Sequence, residues 1–127
     1  MQLIDTHTHL YAKEFDDDRP ELIHNSKALG IRAVLLPNED SRSIASINLL
    51  CDQEPDFAFP MMGLHPTSVD KDYIKEMKTI ETALTQRKYY AIGEIGIDLY
   101  WDKRFLKEQK TVFEEQLRWS IDLHLPV

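Results

Sequence analysis

Cysteine is nearly absent from this chain, and its single instance, Cys51, excludes an internal disulfide and a cysteine-built zinc site. A reducing cytoplasm is the expected compartment. No stretch approaches the roughly 18 consecutive apolar residues of a membrane span, so no membrane partner is expected. The opening Met1-Gln2-Leu3-Ile4-Asp5 lacks a basic start followed by a long apolar run, which argues against a secretory signal. No glycine-rich phosphate loop follows the first apolar stretch, and no Ser–His–Asp arrangement or lysine nucleophile stands out. Positive charge is also scarce, with a formal net charge of −7. Proteins that grip nucleic acid usually present a basic face, because neutralising phosphates supplies most of the affinity. The densest basic cluster, Lys103, Arg104, Lys107 and Lys110, is interrupted or followed by Glu108, Glu114 and Glu115 and reads as the solvated face of a helix. Composition by itself therefore points mildly away from a nucleic-acid substrate.

What is present is a globular pattern. The chain has 127 residues, 43% apolar and 29% charged, enough for one ordinary domain with a buried core. Strand and helix signals alternate four times. Leu3-Ile4-Asp5-Thr6 begins a first strand, and Pro20 suits the first turn of a helix running to about Leu29, where Gly30 offers a left-handed cap. Ile31 to Leu36 is a β-branched and aliphatic run ended by Pro37-Asn38. Ser41 or Ser43 can cap a second helix with Ile44, Ile47 and Leu50 on one face. Phe57 to Gly63 reads as a third strand, weakened by Pro60. Ile74, Met77, Ile80 and Leu84 mark a third helix, and Tyr89 to Glu94 a fourth strand. Leu106 to His124 is a long helix with Val112, Phe113, Leu117 and Ile121 expected inward.

Alternation of this kind predicts an α/β fold with a parallel sheet and helical crossovers. About four βα units, with Leu125-Pro126-Val127 at the start of a fifth strand, make the N-terminal half of a (β/α)8 TIM barrel. Residues 1–127 are thus expected to form a single, incomplete barrel domain. A doubly wound sheet is the alternative, disfavoured by the missing glycine-rich loop.

Chemistry concentrates where the expected strands end. His7 and His9 flank Thr8 just after the first strand, and side chains two apart on a strand face the same way. Two imidazoles so placed can converge on one cation. Asp5 shares their face one step deeper, where it could orient a histidine. Glu94 ends the fourth strand within Gly93-Glu94-Ile95-Gly96-Ile97-Asp98, and carboxylate oxygens suit hard divalent ions and can bridge two of them. Asp98 could support the site from behind or cap the next turn. His65 precedes Pro66, which holds it in extended geometry, so it could contact a substrate phosphate or carbonyl, or serve only as a hydrogen-bonded loop residue. His24 and His124 fall on helices without a chemical context, and Trp101 and Trp119 read as packing residues, with stacking on a base a second role open to Trp101 because it follows Asp98-Leu99-Tyr100 on the rim.

Three of these segments resemble a known family. Asp5-Thr6-His7-Thr8-His9-Leu10, Gly63-Leu64-His65-Pro66 and Gly93-Glu94-Ile95-Gly96-Ile97-Asp98 are similar to the N-terminal signatures of the TatD deoxyribonucleases, in the amidohydrolase superfamily. Gln109 to Leu117, and then Leu125-Pro126-Val127, are similar to that family's approach to its fifth strand. The resemblance implies a barrel hydrolase that cleaves phosphodiester bonds in DNA, with 3′→5′ exonuclease action in view. It implies one to three divalent ions (Mg2+, Mn2+ or Zn2+), with His7, His9 and Glu94 as ligands, Glu94 bridging metals at the catalytic centre. The family's remaining ligands, two histidines and an aspartate on later strands, would lie beyond Val127, so the chain alone is expected to be inactive. Two other readings stand beside this one. The same fold and metals could act on small esters, amides or lactones. The chain could also be a non-catalytic half-barrel that self-associates through its open edges.

Overall fold

The structure is a computed structural model that describes residues 1–127. Three parallel strands lie side by side in chain order: β1 (Leu3–Asp5), β2 (Ile31–Leu36) and β3 (Ala58–Pro60). Parallel neighbours need long crossovers, and helices supply them. Helix α1 (Arg19–Ala28) joins β1 to β2, and α2 (Ile44–Gln53) joins β2 to β3. Two further helices, α3 (Tyr73–Leu84) and α4 (Leu106–Leu123), follow. This is the α/β half-barrel pattern expected from the alternation.

Local chemistry accounts for the joints. Pro20 sits in the first turn of α1, and Gly30 beyond its end has φ +97, with Met1 O only 2.6 Å from where a Cβ would stand. Both crowding and conformation therefore require glycine there. At the end of α4 it is His124, not a glycine, that turns left-handed (φ 53). Val34 and Leu36 of β2 point toward the helices and join Ile23, Ile47, Leu50, Cys51 and Phe57 in one packed cluster. Burial pushes the Cys51 thiol up to about 11, so it stays protonated and behaves as a small apolar side chain. A second cluster, with Met62, Leu64, Ile80, Ile92, Val112 and Trp119, lies between α3, α4 and the chain beyond β3. No helix is long and apolar enough to cross a membrane.

Three expectations need correction. The third strand is Ala58–Pro60 rather than Phe57 to Gly63. The fourth, Tyr89 to Glu94, is reduced to one bridge between Met62 and Ile92. Tyr90 N donates to Pro60 O (3.0 Å), Met62 N to Ala91 O (3.2 Å) and Gly93 N to Met62 O (3.0 Å), but Pro60 has no N–H to donate in return. Past Met62 the ladder ends because Gly93 and Glu94 bond to Asn38 instead. Helix α4 is also rotated relative to its apolar pattern. Gln109, Val112, Gln116 and Trp119 form its buried line, while Ile121 is 69% exposed. Two glutamines can be buried because each finds a main-chain amide to pair with. Gln116 Oε1 accepts from Leu64 N (2.6 Å) and its Nε2 donates to Leu64 O (3.3 Å). Gln109 treats Asp98 the same way, at 2.9 Å in both directions.

Candidate metal centre

The loops that leave β1, β3 and the bridged segment carry the site. After β1 the pairing continues for one more bond, Thr8 N to Leu35 O (3.1 Å), and His7 N donates to Asp5 Oδ1 (3.1 Å). The chain is thus held extended long enough for His7 and His9 to face one way, their ring centroids 5.3 Å apart. Asp5 acts here on the main chain of His7, not on an imidazole.

Glu94 arrives by a different route. Asn38, fully buried at the end of β2, donates its N–H to Gly93 O (3.1 Å) and accepts at its carbonyl from Glu94 N (3.0 Å). Its carboxamide donates to Gly63 O (2.8 Å) and Asp40 O (3.0 Å) and accepts from Ser43 Oγ (2.9 Å). One residue, through its side chain and its main chain, therefore ties together the loops after β2 and β3 and the turn bearing Glu94. Gly63 makes the crossing sterically possible. A Cβ there would lie 2.9 Å from the Gly93 carbonyl carbon and 2.8 Å from Ile95 Cγ2. Beside this junction, burial opposes the charge of Asp40, but hydrogen bonds from Arg42 outweigh it and hold the carboxyl below its ordinary value.

Three imidazole nitrogens meet the Glu94 carboxylate. His7 Nε2 is 3.2 Å from Oε2 and His9 Nε2 is 3.5 Å from the same oxygen, while His65 Nε2 is 3.2 Å from Oε1. The ligand atoms of His7, His9 and Glu94 all lie within 4.8 Å of one another. Donors bonded at about 2.1 Å to one ion stand about 3.0 Å apart in octahedral and about 3.4 Å apart in tetrahedral geometry. The 3.2 and 3.5 Å spacings fall in and just beyond that range, and two nitrogens with one oxygen are a donor set suited to a borderline divalent ion. The residues present fit a metal.

His65 plays a different part. Its Nδ1 accepts from Thr67 N (3.1 Å), an unambiguous donor, so in the neutral ring the proton sits on Nε2 and points at Glu94. It is therefore placed to donate a hydrogen bond to the carboxylate or to an incoming oxygen, not to ligate. Asp98 lies outside this group. Its Oδ1 accepts from Tyr100 N (2.8 Å), the capping alternative among the two expected for it. Trp119 is packed as expected, but Trp101 is 80% exposed and stands edge-to-face with the equally exposed Tyr100, centroids 4.8 Å apart. Trp101 also lines a cleft with Pro66 and Thr67, directly beside His65. Asn38, Gln109 and Gln116 carry no chemical signature in the sequence, since an amide's role depends on which main-chain groups it meets. Tyr11 had one available signal: it continues the alternation His7, His9, Tyr11.

Known proteins share this arrangement of segments. A family model described as TatD related DNase matches residues 4–127. The uncharacterized metal-dependent hydrolase YabD of Bacillus subtilis is 34% identical over 98% of this chain, which covers 49% of YabD. Human deoxyribonuclease TATDN3 is 29% identical over 98% of the chain, which covers 50% of it. The crystal structure of YJJV, a TatD homologue from Escherichia coli K12, superposes with a TM-score of 0.87 at 28% identity, over 98% of this chain and 49% of YJJV. The chain thus spans about half the length of the curated relatives it matches.

Proposed function

The chain belongs to the TatD-related DNase family, and on that premise we propose that it carries the front part of the active site of a cytoplasmic, divalent-metal-dependent hydrolase that cleaves phosphodiester bonds in DNA, including by 3′→5′ exonuclease action. The observation that supports this reading is the convergence of His7, His9 and Glu94, from two separate rim segments, at ligand spacing. Residues 1–127 are read as part of one barrel domain.

His7 and His9 would hold an ion together with the Glu94 carboxylate, whose other oxygen faces the Nε2–H of His65. Mg2+, Mn2+ or Zn2+ bound there supplies a water of lowered pKa and positive charge for the phosphoryl oxygens. The chain's own side chains then position. Asn38 sets the height of Glu94, Gln116 fixes the Leu64-His65 turn, and the Nε2–H of His65 is available to a phosphoryl oxygen that enters beside Oε1. Asp5 keeps His7 in line, and Asp98 shapes the turn that presents Tyr100 and Trp101. With two imidazoles and one carboxylate from residues 1–127, positions remain for water, substrate and ligands from outside this span.

The small-ester reading shares all of this up to the substrate. What favours DNA is the exposed Trp101, which lines a cleft with Pro66 and Thr67, the residues that follow His65, since an exposed aromatic face suits a nucleobase. Concentrating cations at the metal site also offsets the negative net charge. Full-length protein loaded with each ion is to be assayed on single-stranded DNA and on small esters. We expect nucleotide release, reduced at least about 100-fold in Glu94→Gln, a loss at the top of the range for changes merely supporting a ligand. Ester turnover with no nucleotide release under any ion would reverse the order of the two readings.

The third reading applies to residues 1–127 on their own. Leu3 and Ile4 are exposed on β1, whose outer edge is open, a surface that invites pairing with a second copy. We predict that the isolated chain is a dimer or larger with little activity. Light scattering that finds a compact, active monomer refutes this.

A further inference from the structure

We propose that Tyr11 is a positioning residue that locks His9 in its Nδ1–H form, leaving the Nε2 lone pair bare toward Glu94 and ready for a divalent cation; the last clause rests on the metal-site reading above. The Tyr11 hydroxyl has one proton, with Pro37 O at 2.8 Å and His9 Nδ1 at 2.8 Å, and the Ser43 hydroxyl beside it, which donates its own proton to Asn38 Oδ1. A carbonyl oxygen can only accept, so the phenol proton goes to Pro37 O. Toward His9 the hydroxyl can then offer only a lone pair, and His9 Nδ1 must be the donor. A neutral imidazole has one N–H, so Nε2 has none. That bare nitrogen faces Glu94 Oε2 at 3.5 Å, lone pair against lone pair, an arrangement that a cation between them turns from repulsive to attractive.

The phenol is not free to turn away. Tyr11 is buried within the cluster that holds β2 to α1 and α2. The Arg19 guanidinium pins the main chain on both sides, donating to Leu10 O (2.7 Å) and Ala12 O (2.8 Å). His65 provides an internal contrast. Its Nδ1 accepts from a backbone N–H, so its Nε2 carries the proton and donates toward the other carboxylate oxygen. Two histidines facing one carboxylate are thereby given opposite tautomers by their outer partners, one suited to ligation and the other to hydrogen-bond donation. Outer partners of this kind set ring orientation and basicity at metal sites, and losing one typically costs about 10–100-fold in affinity.

The test is nitrogen-15 NMR of the imidazoles in metal-free protein at about pH 8.5, above the ordinary imidazole range. His9 should show a protonated Nδ1 and a bare Nε2, and His65 the reverse. In Tyr11→Phe, which keeps the ring but removes the hydroxyl, His9 should lose its single-tautomer pattern while His65 keeps its own. Mn2+ or Zn2+ affinity should fall about tenfold or more. A proton on His9 Nε2 in the parent, or an unchanged His9 pattern in folded Tyr11→Phe, overturns the proposal. Should Tyr11→Phe fail to fold, the parent spectrum decides. A parent that shows the expected tautomers but binds no ion leaves the role of Tyr11 standing and sinks the metal reading instead.

Discussion

Leu3, Ile4 and Asp5 of β1 are all exposed, whereas Ala91 and Ile92, on the approach to Glu94, are among the most deeply buried residues of the chain. Both segments deliver ligand atoms to the same point, yet they are held there by different forces. β1 is an edge, fixed by main-chain bonds to β2, by the short-range bond at Asp5 and, just beyond it, by the bond from Tyr11 to Pro37. The Glu94 segment is fixed by packing, through Ile92 in the second cluster, and by the junction at Asn38 and Gly63. The contrast separates the two demands on a site. Ligands can be presented from a lightly packed edge if hydrogen bonds aim them, while the residue that faces three imidazoles at once is carried on a segment anchored in the core.

Substitutions can break that contrast or sharpen it. The largest expected effect is at Ile92, where truncation to alanine should lower stability by about 2–5 kcal/mol, as cavity formation in a packed core does, with ion affinity falling alongside. A urea-unfolding midpoint that moves little would show that packing is not what holds the Glu94 segment. Next comes Gly63→Ala, in which the new methyl meets the Gly93 backbone. It should cost about 1–3 kcal/mol by overpacking and displace Glu94, so ion binding should suffer more than the stability loss alone implies. Equal stability and affinity in this variant would mean that the crossing has room the structure does not show. The smallest effect should be at Ile4, 62% exposed on the β1 edge. Ile4→Ser should change stability by no more than about 0.5 kcal/mol and leave ion affinity alone, while reducing self-association of the isolated chain. A cooperative loss of the fold in Ile4→Ser would place the edge strand within the core after all.

Much of this was legible in the chain because the signals are local. The run Ile31 to Leu36 and the apolar spacing of Ile74, Met77, Ile80 and Leu84 mark β2 and α3 wherever they fold. His7 and His9 were readable as a pair because alternation on an extended segment is a two-residue rule. Other features were not readable. The fourth strand failed to form a full ladder because its bonds past Met62 go to Asn38, a residue more than 50 positions earlier. The apolar pattern of α4 points Ile121 inward, but the buried face is set by two glutamines, whose polarity gives no hint that a main-chain amide is waiting for each. Trp101 reads as a packing residue yet stands in solvent, since an aromatic ring in a loop has no periodicity to place it.

The order of strands and helices, the pairing of His7 with His9 and the candidacy of Glu94 follow from residue types a few positions apart, and such short-range patterns the amino-acid sequence determines by itself. Bringing Glu94 Oε2 within 3.2 Å of His7 Nε2, which lies 87 positions earlier in the chain, was decided only by the tertiary structure. So was the side of each imidazole that carries the proton. Both depend on which groups Asn38, Tyr11 and the Thr67 N–H meet once the chain has folded, and a hydrogen bond exists only between groups already in place.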